Sequence, residues 1–177
     1  IPIYLPKNHY LFFFGKNKFK FQPIFQNLID EIWKRNIMKN KNKFYLLPNK
    51  AVSEKYQSKI GKISKYLNKK KSDFLFVTAS ENNAWLLNIR GRDTKFTPIP
   101  YSYILIDKAK NIKFFCDLNK VTSSLRRSLK KIKFLDIKIC VETLLRIKKK
   151  KFIIDSNSCS FYFKNIISEN NKILYSQ

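Results

Sequence analysis

The feature that most constrains the fold is the alternation of strand-like and helix-like segments after residue 51. Residues 74–79 (FLFVTA) form a continuous apolar run of strand length, which is typical of a strand covered on both faces. Residues 52–67 before it repeat apolar side chains at helical spacing, with lysines between them, and predict an amphipathic helix. A helix beside a fully covered strand indicates an α/β fold.

The same alternation continues to the end of the sequence. Pro98 and Pro100 exclude a helix between residue 93 and the apolar run at 101–107. Further strands are predicted at 101–107, 112–117, 134–140, 151–155 and 172–175. Further helices are predicted at 80–88, 122–131, 141–149 and 158–170. Because the first two of these strands form a hairpin and the rest alternate with helices, we expect a mixed sheet with helices on both faces.

The N-terminal part of the sequence differs in character. Residues 9–14 (HYLFFF) are strand-like, and residues 27–33 (NLIDEIW) fit a short helix. Residues 34–51 are rich in Lys and Asn, contain Pro48, and are interpreted as a linker. The predicted organisation is therefore a remnant of a preceding domain plus linker at 1–48, followed by an α/β domain at 49–177.

Net charge leaves two interpretations open. The formal charge is +25, and 31 of the 37 basic residues are lysines. Clustered cations bind phosphate by releasing counterions, so Lys69–Lys71 and Lys148–Lys151 make a small nucleic-acid- or ribosome-associated protein the alternative function. An excess of Lys over Arg in a chain rich in Asn, Ile, Phe and Tyr also fits compositional drift from an AT-rich coding sequence. A binding surface would concentrate its lysines, whereas drift would scatter them.

Few residues suggest catalysis or metal binding. His9 is the single histidine, and the three glycines do not form a phosphate-binding loop. Cys116, Cys140 and Cys159 are an odd, widely spaced set, which predicts buried thiols in a reducing cytoplasm. The apolar run at 11–14 is too short for a membrane span and has no cleavage site after it. We therefore expect a cytoplasmic domain with no catalytic or metal-binding residues of its own.

The segment at 83–93 (NAWLLNIRGRD) is the most unusual motif. Ser80 is the expected N-cap of the helix before it, with Trp85 and Leu87 facing the sheet. Gly91 would permit a sharp bend. Beyond this bend, Arg90 and Asp93 would form an internal ion pair or present a docking surface.

At this point the sequence resembles the Xaa-Pro aminopeptidases (aminopeptidase P). Residues 72–107 are similar to the middle domain of the three-domain enzymes, which carry a similar strand, an "aWLlNlRGsD" segment and a proline-containing turn. The similarity extends to 27–33, 46–63 and 151–166 in the same order, so it covers nearly the whole chain from about residue 20 onward. Arg92 and Thr97 differ from the small residue and the Asn that are common at those positions.

The resemblance implies a creatinase-type α/β domain that is not itself catalytic. In this family, two divalent metals such as Mn²⁺ are held by Asp, Asp, His, Glu and Glu of a C-terminal "pita-bread" domain. The similarity does not extend to such a domain. By the same resemblance, the chain would pack against a pita-bread peptidase domain, in the same or a separate chain, and shape access to its cleft. The residues that it assigns to the scaffold and interdomain contact are Trp85, Asn88, Arg90, Gly91 and Asp93.

Overall fold

The computed structural model describes residues 41–176, together with Pro6, Phe12, Phe14, Gly15 and Ile32. Within 41–176, eight strands and five helices follow one another. They are β1 (Tyr45–Leu46), α1 (Tyr56–Lys69), β2 (Phe74–Val77), α2 (Ser80–Leu87), β3 (Ile89–Arg90), β4 (Ser102–Asp107), β5 (Ile112–Cys116), α3 (Ser123–Ser128), β6 (Ile132–Asp136), α4 (Cys140–Leu145), β7 (Lys151–Asp155), α5 (Phe161–Ser168) and β8 (Lys172–Ser176). Short 3₁₀ turns occupy Asn49–Ala51, Leu118–Lys120 and Ile137–Ile139.

The strands form one mixed sheet and one small ribbon. The sheet has six strands in the order β6-β5-β4-β2-β7-β8. Strand β4 is antiparallel to both β2 and β5, while β5 with β6, β2 with β7, and β7 with β8 are parallel pairs. The predicted hairpin is the β4–β5 pair. Strands β1 and β3 pair antiparallel outside this sheet.

Helices cover both faces of the sheet, which confirms the predicted fold class. Strand β4 is buried on both sides because its side chains alternate between two apolar clusters. Ile104 and Ile106 join the cluster that includes Ile60 of α1, the C-terminal half of α2 and the region of α3. Tyr103 and Leu105 join the cluster that contains the buried side chains of α4 and α5.

Several predicted boundaries are wrong, each for a local reason. The strand predicted at 134–140 ends at Asp136, whose carboxylate accepts a hydrogen bond from the Lys138 backbone N–H at 2.9 Å and turns the chain into a 3₁₀ turn. Ser80 is the first helical residue of α2 rather than its N-cap, and it makes no capping bond. Its hydroxyl instead accepts a hydrogen bond from the Ser102 backbone N–H at 3.2 Å, which ties α2 to β4.

The helices are shorter than their apolar patterns suggested. Helix α1 begins at Tyr56 rather than at Val52, α4 ends at Leu145, and α5 covers only Phe161–Ser168. Ser160 caps α5 by accepting a hydrogen bond from the Phe163 backbone N–H at 3.4 Å.

Much of the N-terminal prediction lies outside the described residues. The strand predicted at 9–14 is wrong at Phe12 and Phe14, which are helical, and Ile32 is helical as expected. Phe44 is only 2% exposed and belongs to the main core, and Tyr45–Leu46 forms β1. The last residues of the expected linker are therefore part of the folded unit, while the division of the chain at residue 48 stays a prediction.

Candidate interdomain site

The motif at 83–93 lies where α2 ends and the chain returns to the sheet. Asn88 terminates α2 in the left-handed conformation, with φ of 57°. Asn adopts this conformation more easily than most other residues, because its short side chain bonds to nearby backbone groups. Here the side chain amide donates to the Glu54 backbone carbonyl at 3.0 Å and accepts from the Lys59 ammonium at 2.8 Å. Asn88 thus fixes the end of α2 against α1.

Lys59 is a buried cation at the junction of α1 and α2. Its side chain is 4% exposed, and its ammonium donates to the Trp85 backbone carbonyl at 2.5 Å. The same nitrogen lies 4.0 Å from the centre of the Trp85 ring, which is cation–π geometry. Burial lowers the pKa of Lys59, since an ammonium loses hydration there, and the nearby Glu54 charge opposes the shift.

Trp85 was predicted to face the sheet, and this prediction is wrong. Trp85 is 57% exposed, whereas Ala84, Leu86 and Leu87 are buried. Because four apolar residues are consecutive in NAWLL, the sequence alone does not show which side of a short helix faces the sheet. The structure shows that Lys59 covers part of the Trp85 ring and that the rest is open to solvent.

Arg90 and Asp93 do not pair with each other, so the expected internal ion pair is wrong. The Arg90 guanidinium donates to the backbone carbonyls of Ala84 at 2.8 Å and Ile89 at 3.0 Å, which are groups at the end of α2. The Asp93 carboxylate accepts a hydrogen bond from the Tyr101 backbone N–H at 2.7 Å and forms a largely buried ion pair with Lys120. Each charge therefore braces a different part of the same turn.

Gly91 is required by close packing rather than by a left-handed backbone. The expected sharp bend does not use the left-handed freedom of glycine, because Gly91 does not have positive φ and the left-handed residue is Asn88. A Cβ atom at position 91 would lie 2.9 Å from the Pro100 Cα and 3.0 Å from the Phe44 Cδ1. Glycine allows β3 to pass directly over Pro100 and the buried Phe44 ring.

The contacts of Arg90, Gly91 and Asp93 fix the base of a loop at residues 92–98, which we call the Phe96 loop. Its base is closed by hydrogen bonds from the Gly91 N–H to the Pro98 carbonyl at 3.2 Å and from the Asp93 N–H to the Ile99 carbonyl at 3.3 Å. Phe96 is 88% exposed. Beside it is an open cleft of about 540 Å³ lined by Asn42, Tyr45, Arg92, Thr94, Lys95, Phe96, Thr97 and Pro98.

The structure thus brings the five motif residues together but gives them unequal roles. Trp85 contributes exposed surface, and Asn88, Arg90, Gly91 and Asp93 support the turn from inside. Sequence reasoning missed Lys59 and Phe96, although both gave a signal. Lys59 occupies a position on the apolar stripe of α1, next to Ile60, and Phe96 is an aromatic residue in an otherwise polar loop.

The remaining chemistry of the described residues is sparse. Cys116, Cys140 and Cys159 are buried and unpaired, and burial raises the pKa of each thiol to about 12. This confirms the expected buried thiols. Within the described residues, no group of three or more His, Cys, Asp or Glu side chains is placed to hold a metal ion. The helices of the described part include none with the length and apolar character of a membrane span.

The mixed six-stranded sheet with helices on both faces makes this an α/β domain. Residues 35–177 match the sequence profile of the Creatinase/Prolidase N-terminal domain. The chain therefore belongs to the creatinase/prolidase N-terminal domain family.

Individual relatives agree with this assignment. Xaa-Pro aminopeptidase 1 of Dictyostelium discoideum is 30% identical over 118 residues, which is 62% of this chain and 18% of that protein. An X-prolyl aminopeptidase from Caenorhabditis elegans, described as a cytosolic enzyme with a di-nuclear active site, superposes with a TM-score of 0.76 at 21% identity over 86% of this chain and 26% of that one. The N-terminal domain of a metallopeptidase from Corynebacterium diphtheriae gives a TM-score of 0.51 at 13% identity, covering 69% of this chain and 98% of that one. The chain thus spans less than a fifth of the length of the curated relative and nearly the whole of an isolated N-terminal domain.

Proposed function

We propose that this chain is the non-catalytic domain of a cytoplasmic Xaa-Pro aminopeptidase, and that it packs against a metal-dependent pita-bread peptidase domain and shapes access to its cleft. That peptidase domain would be part of the same polypeptide or a separate chain, and it would bind two divalent metals. The observation that carries the proposal is the match of residues 35–177 to an N-terminal domain family whose relatives here include full-length Xaa-Pro aminopeptidases. The cytosolic C. elegans enzyme with a di-nuclear site supports both the location and the partner.

The Phe96 loop is the surface best built for that contact. An exposed aromatic side chain on a braced loop, next to an open cleft, has the composition of an interface anchor. Tyr45 is 43% exposed and lines the cleft beside Phe96, so it extends the aromatic surface of the loop. The internal bonds of Asp93 reduce the entropy that the loop would lose on binding, which favours docking. Trp85 would add exposed surface to the interdomain contact. Asn88, Arg90, Gly91 and Asp93 would act indirectly, by fixing the turn that carries the loop.

Binding to a peptidase domain tests this proposal. The full chain is mixed with the C-terminal part of the Dictyostelium relative, and the dissociation constant is measured by isothermal titration calorimetry. Phe96→Ala should weaken binding by about 30-fold or more, which is the loss of about 2 kcal/mol expected of an interface anchor. Leu145→Ala is the matched control, because Leu145 is a 37% exposed apolar residue on α4, which packs on the opposite face of the sheet.

A second measurement tests the non-catalytic assignment. The isolated chain is incubated with Mn²⁺ and a short Xaa-Pro peptide, and no turnover is expected. Turnover by the chain alone would overturn the assignment. Equal loss of affinity in the Phe96 and Leu145 variants would overturn the assignment of the docking surface.

A further inference from the structure

The lysine runs that are separate in the sequence meet at one end of the sheet. Strands β2, β7 and β8 start at this end, β4 finishes there, and β5 and β6 start there again. Every strand of the sheet therefore has a lysine at or within three residues of this end. We call the set the lysine edge, and it consists of Lys69–Lys71, Lys108, Lys110, Lys130, Lys131, Lys148–Lys151 and Lys172.

The positive charge of this edge is poorly neutralised. All of its lysines except the half-buried Lys151 are exposed. In the part of the chain that the structure describes, Lys108 is the edge lysine that pairs with a carboxylate, at 3.0 Å from Asp73. The Asp107 carboxylate accepts hydrogen bonds from Asn111 instead, from the backbone N–H at 2.9 Å and from the side-chain amide at 2.7 Å. The edge therefore presents a row of ammonium groups to solvent.

The opposite end of the sheet has a different composition. Strands β6 and β7 finish there in Asp136 and Asp155, and Asp117 directly follows β5. Asp73 and Asp107 lie at the lysine edge as well, and Lys120 and Lys138 follow β5 and β6 at the opposite end, so neither end is of a single sign. Drift alone predicts lysines scattered evenly over exposed surfaces, whereas twelve lysines of residues 41–176 gather at this one end, which favours a selected surface.

Backbone conformation gives a second, independent observation. Lys71, Lys110 and Lys149 have positive φ, at 50°, 69° and 55°. An L-residue other than Gly, Asn or Asp in this conformation costs about 1 kcal/mol. All three lie in turns of the lysine edge, where Gly or Asn would be less strained. The turns thus carry lysine at positions where backbone energetics favour Gly, Asn or Asp.

The length of the row sets how much phosphate backbone it could span. Neighbouring strands are about 4.8 Å apart, so six strands place lysines along about 24 Å. This distance equals about seven base-pair steps of a duplex, in which one strand carries a phosphate about every 3.4 Å.

We propose that the lysine edge binds the sugar–phosphate backbone of a nucleic-acid duplex without reading its base sequence. Lysine acts on phosphate as a point charge and lacks the planar fork that suits arginine to base recognition. Within residues 41–176, Leu145 is a large exposed apolar residue three residues before Lys148, and the edge has no exposed aromatic side chain in its turns for base stacking. This site is distinct from the Phe96 loop, which precedes β4 and therefore lies at the other end of the sheet.

The test uses the full chain and removes charge without adding strain. The triple variant Lys71→Asn, Lys110→Asn and Lys149→Asn places Asn at three left-handed positions, so its melting temperature should equal or exceed that of the parent. Binding to RNA and DNA duplexes of about 20 base pairs is measured by fluorescence anisotropy between 50 and 200 mM salt. About six phosphate contacts predict a log–log slope of about −5 and about a 1,000-fold loss of affinity over this range. The triple variant, with about three contacts left, should show a slope of about −3 and about a 40-fold loss of affinity over the same salt range.

A matched variant separates a built surface from general basicity. Lys50→Asn, Lys55→Asn and Lys138→Asn removes the same charge from exposed lysines outside the edge and should leave the parent slope unchanged. Equal weakening by both triple variants, a slope near zero for the parent, or tighter binding to vesicles containing phosphatidylserine than to either duplex would each overturn the proposal. Tighter binding to one of the two duplexes would identify the nucleic acid. None of these results depends on the Phe96 loop, so this proposal and the docking proposal can fail separately.

Discussion

Replacing Gly91 by Ala tests the claim that close packing holds the motif together. The added Cβ would lie 2.9 Å from the Pro100 Cα and 3.0 Å from the Phe44 Cδ1, whereas ordinary contacts begin near 3.4 Å. Neither neighbour can yield easily, because one is backbone and the other is a core ring that is 2% exposed. Overpacking of this kind costs about 1–3 kcal/mol, partly offset by about 0.4–1 kcal/mol from the lower entropy of the unfolded Ala chain.

The net expectation is a loss of about 1–2 kcal/mol in the free energy of unfolding, measured by urea denaturation followed by circular dichroism. In a chain of this length, the melting temperature should fall by about 2–8 °C. Gly61→Ala is the matched control, since Gly61 lies inside α1 and a Cβ there meets nothing within 4 Å. That variant should gain about 0.5–1 kcal/mol from helix propensity. A Gly91→Ala protein as stable as the parent would refute the packing argument.

Two further predictions concern the helix end and the acid stability of the fold. Asn88→Ala should lower the free energy of unfolding by about 2–4 kcal/mol, because it removes two side-chain hydrogen bonds and strains a left-handed residue. Asn88→Gly should lower it by about half as much, since glycine tolerates the left-handed conformation. Similar losses for the two variants in urea denaturation would contradict a role for φ at this position. Burial disfavours the charge of Asp73, but bonds from the Lys151 backbone N–H and the Lys108 ammonium outweigh it and lower the pKa of Asp73 below 3.8. Its contribution to stability should therefore be present above about pH 4 and be lost as pH falls through the lowered pKa. Asp73→Asn should be less stable at pH 7 and lose less stability on acidification, as followed by urea denaturation across pH; parallel pH profiles would contradict this.

Much of the fold was predictable because short stretches of sequence determine where its strands and helices form. The continuous apolar runs of β2 and β4, the helical spacing in α1 and the β4–β5 hairpin are all patterns over fewer than about 15 residues. Element ends were less predictable, because they depend on single side chains. Asp136 ends β6 because its carboxylate accepts a hydrogen bond from the Lys138 backbone N–H. The apolar alternation through residues 135–139 predicts a longer strand and gives no sign of this bond.

The sequence picked out the motif at 83–93 but not its internal contacts. It identified Trp85, Asn88, Arg90, Gly91 and Asp93 as one unit. It did not show that Arg90 and Asp93 have separate partners, because Lys120 lies 27 residues away from Asp93 in the sequence. Nor did it show which face of α2 packs on the sheet.

The sequence by itself determined the class of fold, the family and the excess of positive charge, since these depend on local patterns and composition. Only the tertiary structure decided where that charge lies. Parallel and antiparallel pairing bring the turns before β2, β6, β7 and β8 and the β4–β5 turn to one end of the sheet. Strand order and direction are set by long-range packing, so residues such as Lys71 and Lys149 become neighbours on a surface that their positions in the sequence do not show.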